Sequence, residues 1–417
     1  MALSLVEIIT IGDEILYGQI QDTNATWLSQ QISQAGFKVI WRSTIGDVKD
    51  HLLQAFKQAE SRADIILITG GLGPTADDLT KPTLNEYFGS KLIRNKEVIN
   101  HLSAMFASRG RELTEVNARQ ADLPEACELI PNAKGTAPGM WFRKENKVFI
   151  SLPGVPFEMK NLVSTIVLPR LQQEFAHEVI YHRKIRTSGI PESILSEKIK
   201  DWEQALPQHM GLAYLPHLGM VDLRITATGQ NLEELQKEVN KQEIELIPQI
   251  EKYIYGYGDE ELAQSVGKLL VSKGLKISTA ESCTAGYIAH MLTTQPGSSA
   301  YFIGSIIAYM NAIKMEQLGV ESTILELHGA VSEQTVLQMA QGVKEKLNTE
   351  VSIAISGIAG PDGGTEAKPV GLVWIAISTP DQTFAKKFNF TKDRMLNIKF
   401  SATAALTLLR QTLTEND

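Results

Sequence analysis

The sequence predicts two α/β domains with largely parallel sheets, joined by a small α+β domain. Three observations lead there. Near both ends of the chain, apolar β-branched runs alternate with amphipathic helical segments, the pattern of a doubly wound sheet. Between them, over about 170–255, the strand-like runs are fewer and a strongly charged helix appears. Short strings rich in glycine, serine and acids follow directly on several apolar runs, and in open parallel sheets ligands bind at the carboxyl ends of the strands.

The chain of 417 residues is too long for one ordinary core, and a prior of about 150 residues per domain makes three the expectation. A hydrophobic content of 43% with 21% charged residues lets each domain bury a real core. The net charge of −8 and a pI near 5.6 offer no global attraction to nucleic acid or anionic lipid, so small-molecule ligands are expected. Only Cys127 and Cys283 are present, which excludes a disulfide framework and a multi-thiolate zinc site and suits a reducing cytoplasm. The first apolar run carries Glu7 and lacks a basic lead, so it reads as a strand and not as a targeting segment.

Leu5–Ile11 is the first strand, followed by a helix over 24–35 with Trp27, Leu28, Ile32 and Ala35 on one face and a stop at Gly36. A strand over 37–42, a helix over 51–61 and a buried parallel strand over 65–68 continue the alternation. In the middle, strands are expected over 183–188 and 223–228, then a helix over 231–246 with Leu232, Leu235, Val239 and Leu246 inward. Glycines over 253–261 suggest a joint. The last domain should run helix 261–272, strand 275–278, helix 284–292, strand 303–309, helix 333–347, strands 351–356 and 371–378, and helix 394–413.

Two strings carry candidate chemistry. The first, TGGLGPTADDLT over 69–80, places Gly70, Gly71, Gly73 and Thr75 where a backbone can approach phosphate, then Asp77 and Asp78. It fits a dinucleotide fingerprint only formally, because Pro74 disrupts the turn and the aspartates would repel a pyrophosphate unless a cation intervened. A metal-assisted phosphate site accounts for both features, with Asp13, Glu14 and Asp47 at neighbouring strand ends. A tight turn followed by acids at a helix start is the plainer alternative. The second string, TAESCTAG over 279–286, sets Ser282 and Cys283 at the expected start of a helix. Ser282 could simply cap that helix. With Tyr309 and Lys314 in YMNAIK, and a glycine-rich SGIAGPDGG over 356–364, it could instead be a nucleophile with Lys314 as its base, and Cys283 is then a rival nucleophile.

GDEILYGQIQDTN, TGGLGPTADDLT, GTAPGM and LPGVPFEM resemble the N-terminal domain of the CinA family, which is similar to the molybdopterin-binding fold of MogA and MoeA. TAESCTAG, GSSAYF, YMNAIK, HGAVSE and SGIAGPDGG resemble the family's C-terminal domain, which is similar to the nicotinamide mononucleotide deamidases called PncC. The resemblance implies a molybdopterin-binding-like domain over 1–168, a KH-like linking domain over 169–256 and a deamidase domain over 257–417. It implies ADP-ribose pyrophosphatase activity at the first site, with Asp47, Asp77 and Asp78 serving a divalent cation of the magnesium or cobalt type, with K+ as a further candidate. At the second it implies hydrolysis of nicotinamide mononucleotide without a cofactor by Ser282, Tyr309 and Lys314. Substrate contacts are expected from Thr284, Gly286, Asn311, Gly357, Gly360 and Arg394. Many relatives in the family read CTGG where this chain has CTAG, a difference of one methyl group at Ala285. The expected partners are these nucleotides, with no nucleic acid and no membrane, in a cytoplasmic homodimer. A pterin- or nucleotide-binding or competence-associated scaffold without catalysis at the first site is the alternative.

Overall fold

A glutamate stands inside the first β-branched run, and the chain buries its carboxylate within the strand. In the computed structural model, which describes residues 4–75, 77–175 and 179–414, Leu5–Ile11 forms β1 and Glu7 is 0% exposed. The chain divides into two units, one of 1–181 with 227–237, the other of 182–226 with 238–417.

The six-stranded sheet of the first unit contains β1, β2 (Lys38–Ile45), β3 (Ile65–Thr69), β4 (Cys127–Ile130), β5 (Gly139–Lys144) and β6 (Lys147–Leu152), in the order β2-β1-β3-β6-β5-β4. The first four in that order are parallel and the last two pair antiparallel. Helices α1 (Thr23–Gln34) and α2 (Lys49–Arg62) cover opposite faces: Val6 and Ile8 pack with Leu28 and Ile32, whereas Ile9 and Ile11 pack with Leu52 and Phe56. Both helices lie within two residues of their expected ends. Strands β4 to β6 are additions to the expected alternation, a hairpin sequence whose polar turn residues masked its pattern.

The middle segment has strands β7 (Val179–Ser188), β8 (Met210–His217), β9 (Met220–Gly229) and β10 (Ile254–Tyr257), in the order β8-β9-β7-β10, with helices α3 (Glu192–Gln204) and α4 (Leu232–Ile250). The expected joint is therefore a short strand, paired antiparallel with β7 through Ile254, Gly256 and Tyr257. Its glycines hid a buried Ile254 and Tyr255.

The last segment contains α5 (Leu262–Ser272), β11 (Ile277–Glu281), α6 (Tyr287–Thr293), β12 (Phe302–Ile307), α7 (Asn311–Leu318), α8 (Glu333–Leu347), β13 (Val351–Gly357), β14 (Leu372–Ser378), β15 (Thr383–Asn389) and α9 (Arg394–Thr414). The sheet order is β12-β11-β13-β14-β15, parallel across the first three and antiparallel across the rest. Helix α6 begins at Tyr287 and not at 284, because Ala285 and Gly286 adopt left-handed φ of 51° and 96° and form a turn. Strand β12 stops at Ile307, which leaves Tyr309 in the loop beyond it. Edge strand β15 was not expected, since its alternation is weak and its lysines face solvent. Among the described residues no helix is long and apolar enough to cross a membrane.

Glu7 holds the first unit's sheet to α2. Arg62 donates to both its oxygens at 2.7 Å, Ser43 Oγ donates at 2.8 Å, and the Arg62 guanidinium lies 4.1 Å from the Trp41 ring centre. Removing one partner of a buried pair leaves the other charge uncompensated. Arg62→Ala should therefore destabilise the protein by about 3 kcal/mol, the low end for such a loss because Arg62 is partly exposed; urea unfolding of variant and parent measures it.

Candidate active site

The turn after β11 is built around Glu281, whose side chain is fully buried at the strand's end. It accepts from Thr284 Oγ1 at 2.7 Å, Gly286 N at 2.9 Å, Ala289 N at 2.8 Å, Ile288 N at 3.1 Å and Thr279 Oγ1 at 3.3 Å. Among them, Ile288 N and Ala289 N are first-turn donors that an N-cap would satisfy. Ser282 is thus not the cap of the following helix. Its N–H bonds to Ile355 O on β13 at 3.0 Å, which fixes the backbone while leaving the hydroxyl to another partner.

That partner is Lys314. Its Nζ lies 3.3 Å from Ser282 Oγ, 2.7 Å from Ala308 O and 3.2 Å from Tyr309 O. A neutral amine has two N–H bonds and one lone pair. Two backbone carbonyls can take the donors, and the lone pair then faces the serine hydroxyl. Lys314 is 1% exposed, and among the described residues no carboxylate pairs with it. Burial holds its ammonium below the ordinary lysine range, with the nearby Cys283 sulfur opposing the shift. The position follows from chain geometry: β12 ends at Ile307, Ala308 N bonds to Glu281 O at 2.8 Å, and α7 turns Lys314 back beneath the loop.

Arg394, the first residue of α9, donates to Gly360 O at 2.7 Å and to Tyr309 Oη at 3.1 Å. Tyr309 is 55% exposed, so its phenol and the arginine form a rim above the buried serine and lysine. Asn397 holds the base of this rim, accepting from Thr391 N at 2.8 Å and donating to Ala359 O at 2.9 Å. The structure therefore links Ser282, Lys314, Tyr309, Gly360 and Arg394. Asn311 is exposed at the start of α7, and Gly357 ends β13 where an added Cβ would meet Leu372 O at 2.8 Å. The Thr284 hydroxyl and the Gly286 N–H are committed to Glu281. Glu281 was missed in the sequence because a lone acid before a serine carries no pattern of its own.

Cys283, the rival nucleophile, packs into the core at 6% exposure, and burial pushes its thiol up to about 12. A thiol so protonated at neutral pH is a poor nucleophile. A cleft of about 640 Å³ elsewhere in the second unit, walled by Phe388, Phe390, Phe400 and Met220, contains none of the candidate residues.

In the first unit, the ends of β1 and β3 border a cleft of about 200 Å³ lined by Thr10, Glu14, Asp22, Asn24, Gly70 and Gly71. Gly70 and Gly71 are required by close approach: an added Cβ would sit 2.1 Å from Ile11 O and from Thr80 Oγ1 respectively. The 73–78 loop closes on itself. Asp78 accepts from Gly73 N at 2.8 Å and Thr75 N at 3.0 Å, and also from the Thr75 hydroxyl, so the N–H groups expected to meet phosphate already hold a carboxylate. Asp77 is exposed. Asp47 accepts from Asp13 N at 3.2 Å, and its carboxyl is raised by burial and by the charges of Asp13, Glu14 and Asp78. This gathering of hard oxygen donors suits a divalent cation in chemistry. Among the described residues, however, no three such side chains converge as a ligand set. Sequence reading gave no role to Asp22, which caps α1 through Ala25 N at 2.8 Å, to Asn24, whose buried Oδ1 has no partner, or to Lys81, pushed down to about 8 by burial.

Three family profiles match the chain: "Probable molybdopterin binding domain" over 7–173, "Damage-inducible protein CinA KH domain" over 182–256 and "CinA C-terminal domain" over 259–413. A CinA-like protein of Cytophaga hutchinsonii is 48% identical over 409 residues, 98% of each chain. One of Flavobacterium psychrophilum is 43% identical over 411 residues, again 98% of each. Among solved structures, a competence-damaged protein (CinA) superfamily protein of Klebsiella pneumoniae is 32% identical, covering 37% of this chain and 96% of that one at a TM-score of 0.36.

The burial of Cys283 has a chemical consequence. Iodoacetamide at neutral pH should leave Cys283 unmodified in the folded protein and alkylate it after denaturation; peptide mass spectrometry distinguishes the two states.

Proposed function

Because the chain belongs to the CinA family, we propose that its second unit is a serine amidase that hydrolyses nicotinamide mononucleotide to nicotinate mononucleotide and ammonia in the salvage of pyridine nucleotides. The observation that carries this reading is the buried Lys314 amine 3.3 Å from Ser282 Oγ with its other two partners both carbonyls. Ser282 Oγ attacks the carboxamide carbon as its proton passes to Lys314 Nζ. The tetrahedral adduct collapses when Lys314 returns that proton to the amide nitrogen, so the C–N bond breaks and ammonia leaves. Lys314 then takes a proton from water, whose oxygen attacks the acyl ester, and Ser282 regains its hydroxyl as the acid departs. No cofactor enters these steps. Arg394, held by Gly360 O and Tyr309 Oη, supplies a cation at the rim for the nucleotide's phosphate or the product's carboxylate. The phenol of Tyr309 is engaged there, which favours Lys314 over Tyr309 as the base.

For the first unit we propose a metal-dependent ADP-ribose pyrophosphatase. This reading gives Asp47, Asp77 and Asp78 to a divalent cation that would neutralise diphosphate charge when bound, although among the described residues no three such side chains converge. Asn24 and Asp22, lining the cleft, offer polar contacts to a nucleotide. The closure of Gly73 and Thr75 on Asp78 favours a second reading, in which this cleft binds a pterin or nucleotide without cleaving it. The proposed setting is a cytoplasmic homodimer acting on small nucleotides, without a nucleic-acid or membrane partner.

Ser282→Ala should lower ammonia release by at least about a thousandfold, the scale for losing a covalent nucleophile. Lys314→Met should be comparably severe. In the parent, kcat/KM should rise with pH as Lys314 loses its proton, with a midpoint below the ordinary lysine value of about 10.4, because its folded pKa is lowered. Full activity in Ser282→Ala would overturn the mechanism.

Asp47→Asn should impair ADP-ribose cleavage and spare amide hydrolysis, since an amide is a weaker cation ligand than a carboxylate. Product analysis with each nucleotide at saturating Mg²⁺ tests this, and equal cleavage rates in parent and variant would remove Asp47 from the cation site.

A further inference from the structure

A buried backbone N–H without a partner is rare, because leaving it unpaired costs about 1–3 kcal/mol. Around the nucleophile's turn nearly every N–H is spent. Ser282 N bonds to Ile355 O, Ala285 N to Ser282 O, Tyr287 N to Thr284 O and His290 N to Gly286 O. Gly286, Ile288 and Ala289 donate to Glu281. Two remain. The N–H groups of Cys283 and Thr284 have no hydrogen-bond partner in another described residue, the Cys283 N–H meeting only its own thiol, and both residues are buried, at 6% and 3% exposure. They adjoin Ser282 in sequence, where a tetrahedral oxyanion forms when that serine attacks a carbonyl.

We infer that Glu281 is the positioning residue of this site, and that by taking the neighbouring donors it holds Cys283 N–H and Thr284 N–H open as the oxyanion hole. The inference rests on the amidase reading above. Three features make Glu281 suited to the task. Its carboxylate is acceptor-only, so it draws in all five donors without offering a competing one. It grips Thr284 by the side chain, which leaves the Thr284 N–H unclaimed. It also holds a turn in which Ala285 sits at φ 51°, a conformation that costs a non-glycine residue roughly 1–2 kcal/mol and would otherwise relax. Relaxation would let the two N–H groups find partners within the turn.

Glu281→Gln keeps the shape but brings an NH₂ against groups that are themselves donors. In the full chain, with nicotinamide mononucleotide and its thioamide analogue as substrates, the variant should lose about 100-fold in kcat, the scale of one oxyanion donor, while KM changes less than about threefold. Preference for the carboxamide over the thioamide should fall as well, because sulfur is a weaker hydrogen-bond acceptor than oxygen and that difference affects the rate only while donors are aimed at the oxyanion. Thr284→Val removes a single donor to Glu281 and should show the same pattern on a smaller scale, and it serves as the test if Glu281→Gln does not fold. Unchanged kcat in both variants, or a lower kcat with the amide-to-thioamide ratio of the parent, overturns the inference. Absence of ammonia release by the parent protein would refute the amidase reading itself.

Discussion

An amine buried at 1% exposure, with no carboxylate partner among the described residues, is the constraint on which the rest of the candidate site depends. Water no longer solvates the charge, so the neutral form gains relative to the ammonium. The two carbonyls from Ala308 and Tyr309 supply acceptors for the remaining N–H bonds. They come from the segment just past β12, and Ala308 is in turn tied to the end of β11. Ser282 and Lys314 therefore meet because two adjacent parallel strands end side by side, the place where such sheets present ligand sites.

The second requirement is a serine free of structural duty. Serine before a helix ordinarily spends its hydroxyl on the first turn. Here Glu281 takes that work, with three backbone N–H groups and two hydroxyls around one carboxylate. The first unit shows a parallel use of acid chemistry with a different result. Asp78 gathers Gly73 and Thr75 in a similar way, but in doing so occupies the donors a phosphate would need. One carboxylate opens a site while the other fills one.

Strand–helix alternation made the two α/β segments legible, and β1, β3 and the helix cores fell where periodicity placed them. Polar or glycine-containing strands did not announce themselves: β15 exposes its lysines, and β10 carries Gly256. The strings around Ser282, Lys314 and Arg394 pointed to residues that the fold does bring together. Helix start was the main misreading, since left-handed φ at Ala285 is not a property of an alanine that sequence reveals. Glu281, Asp22 and Asn24 were passed over because their roles arise from backbone groups, which leave no mark in a one-letter string.

Burial lets Lys314 reach its neutral form more easily than an ordinary lysine. A pH titration of its ¹³Cε resonance in the whole protein, assigned by its disappearance in Lys314→Met, measures this directly. The expected midpoint lies below the lysine value of about 10.4. A midpoint at or above that of the surface lysines would contradict it.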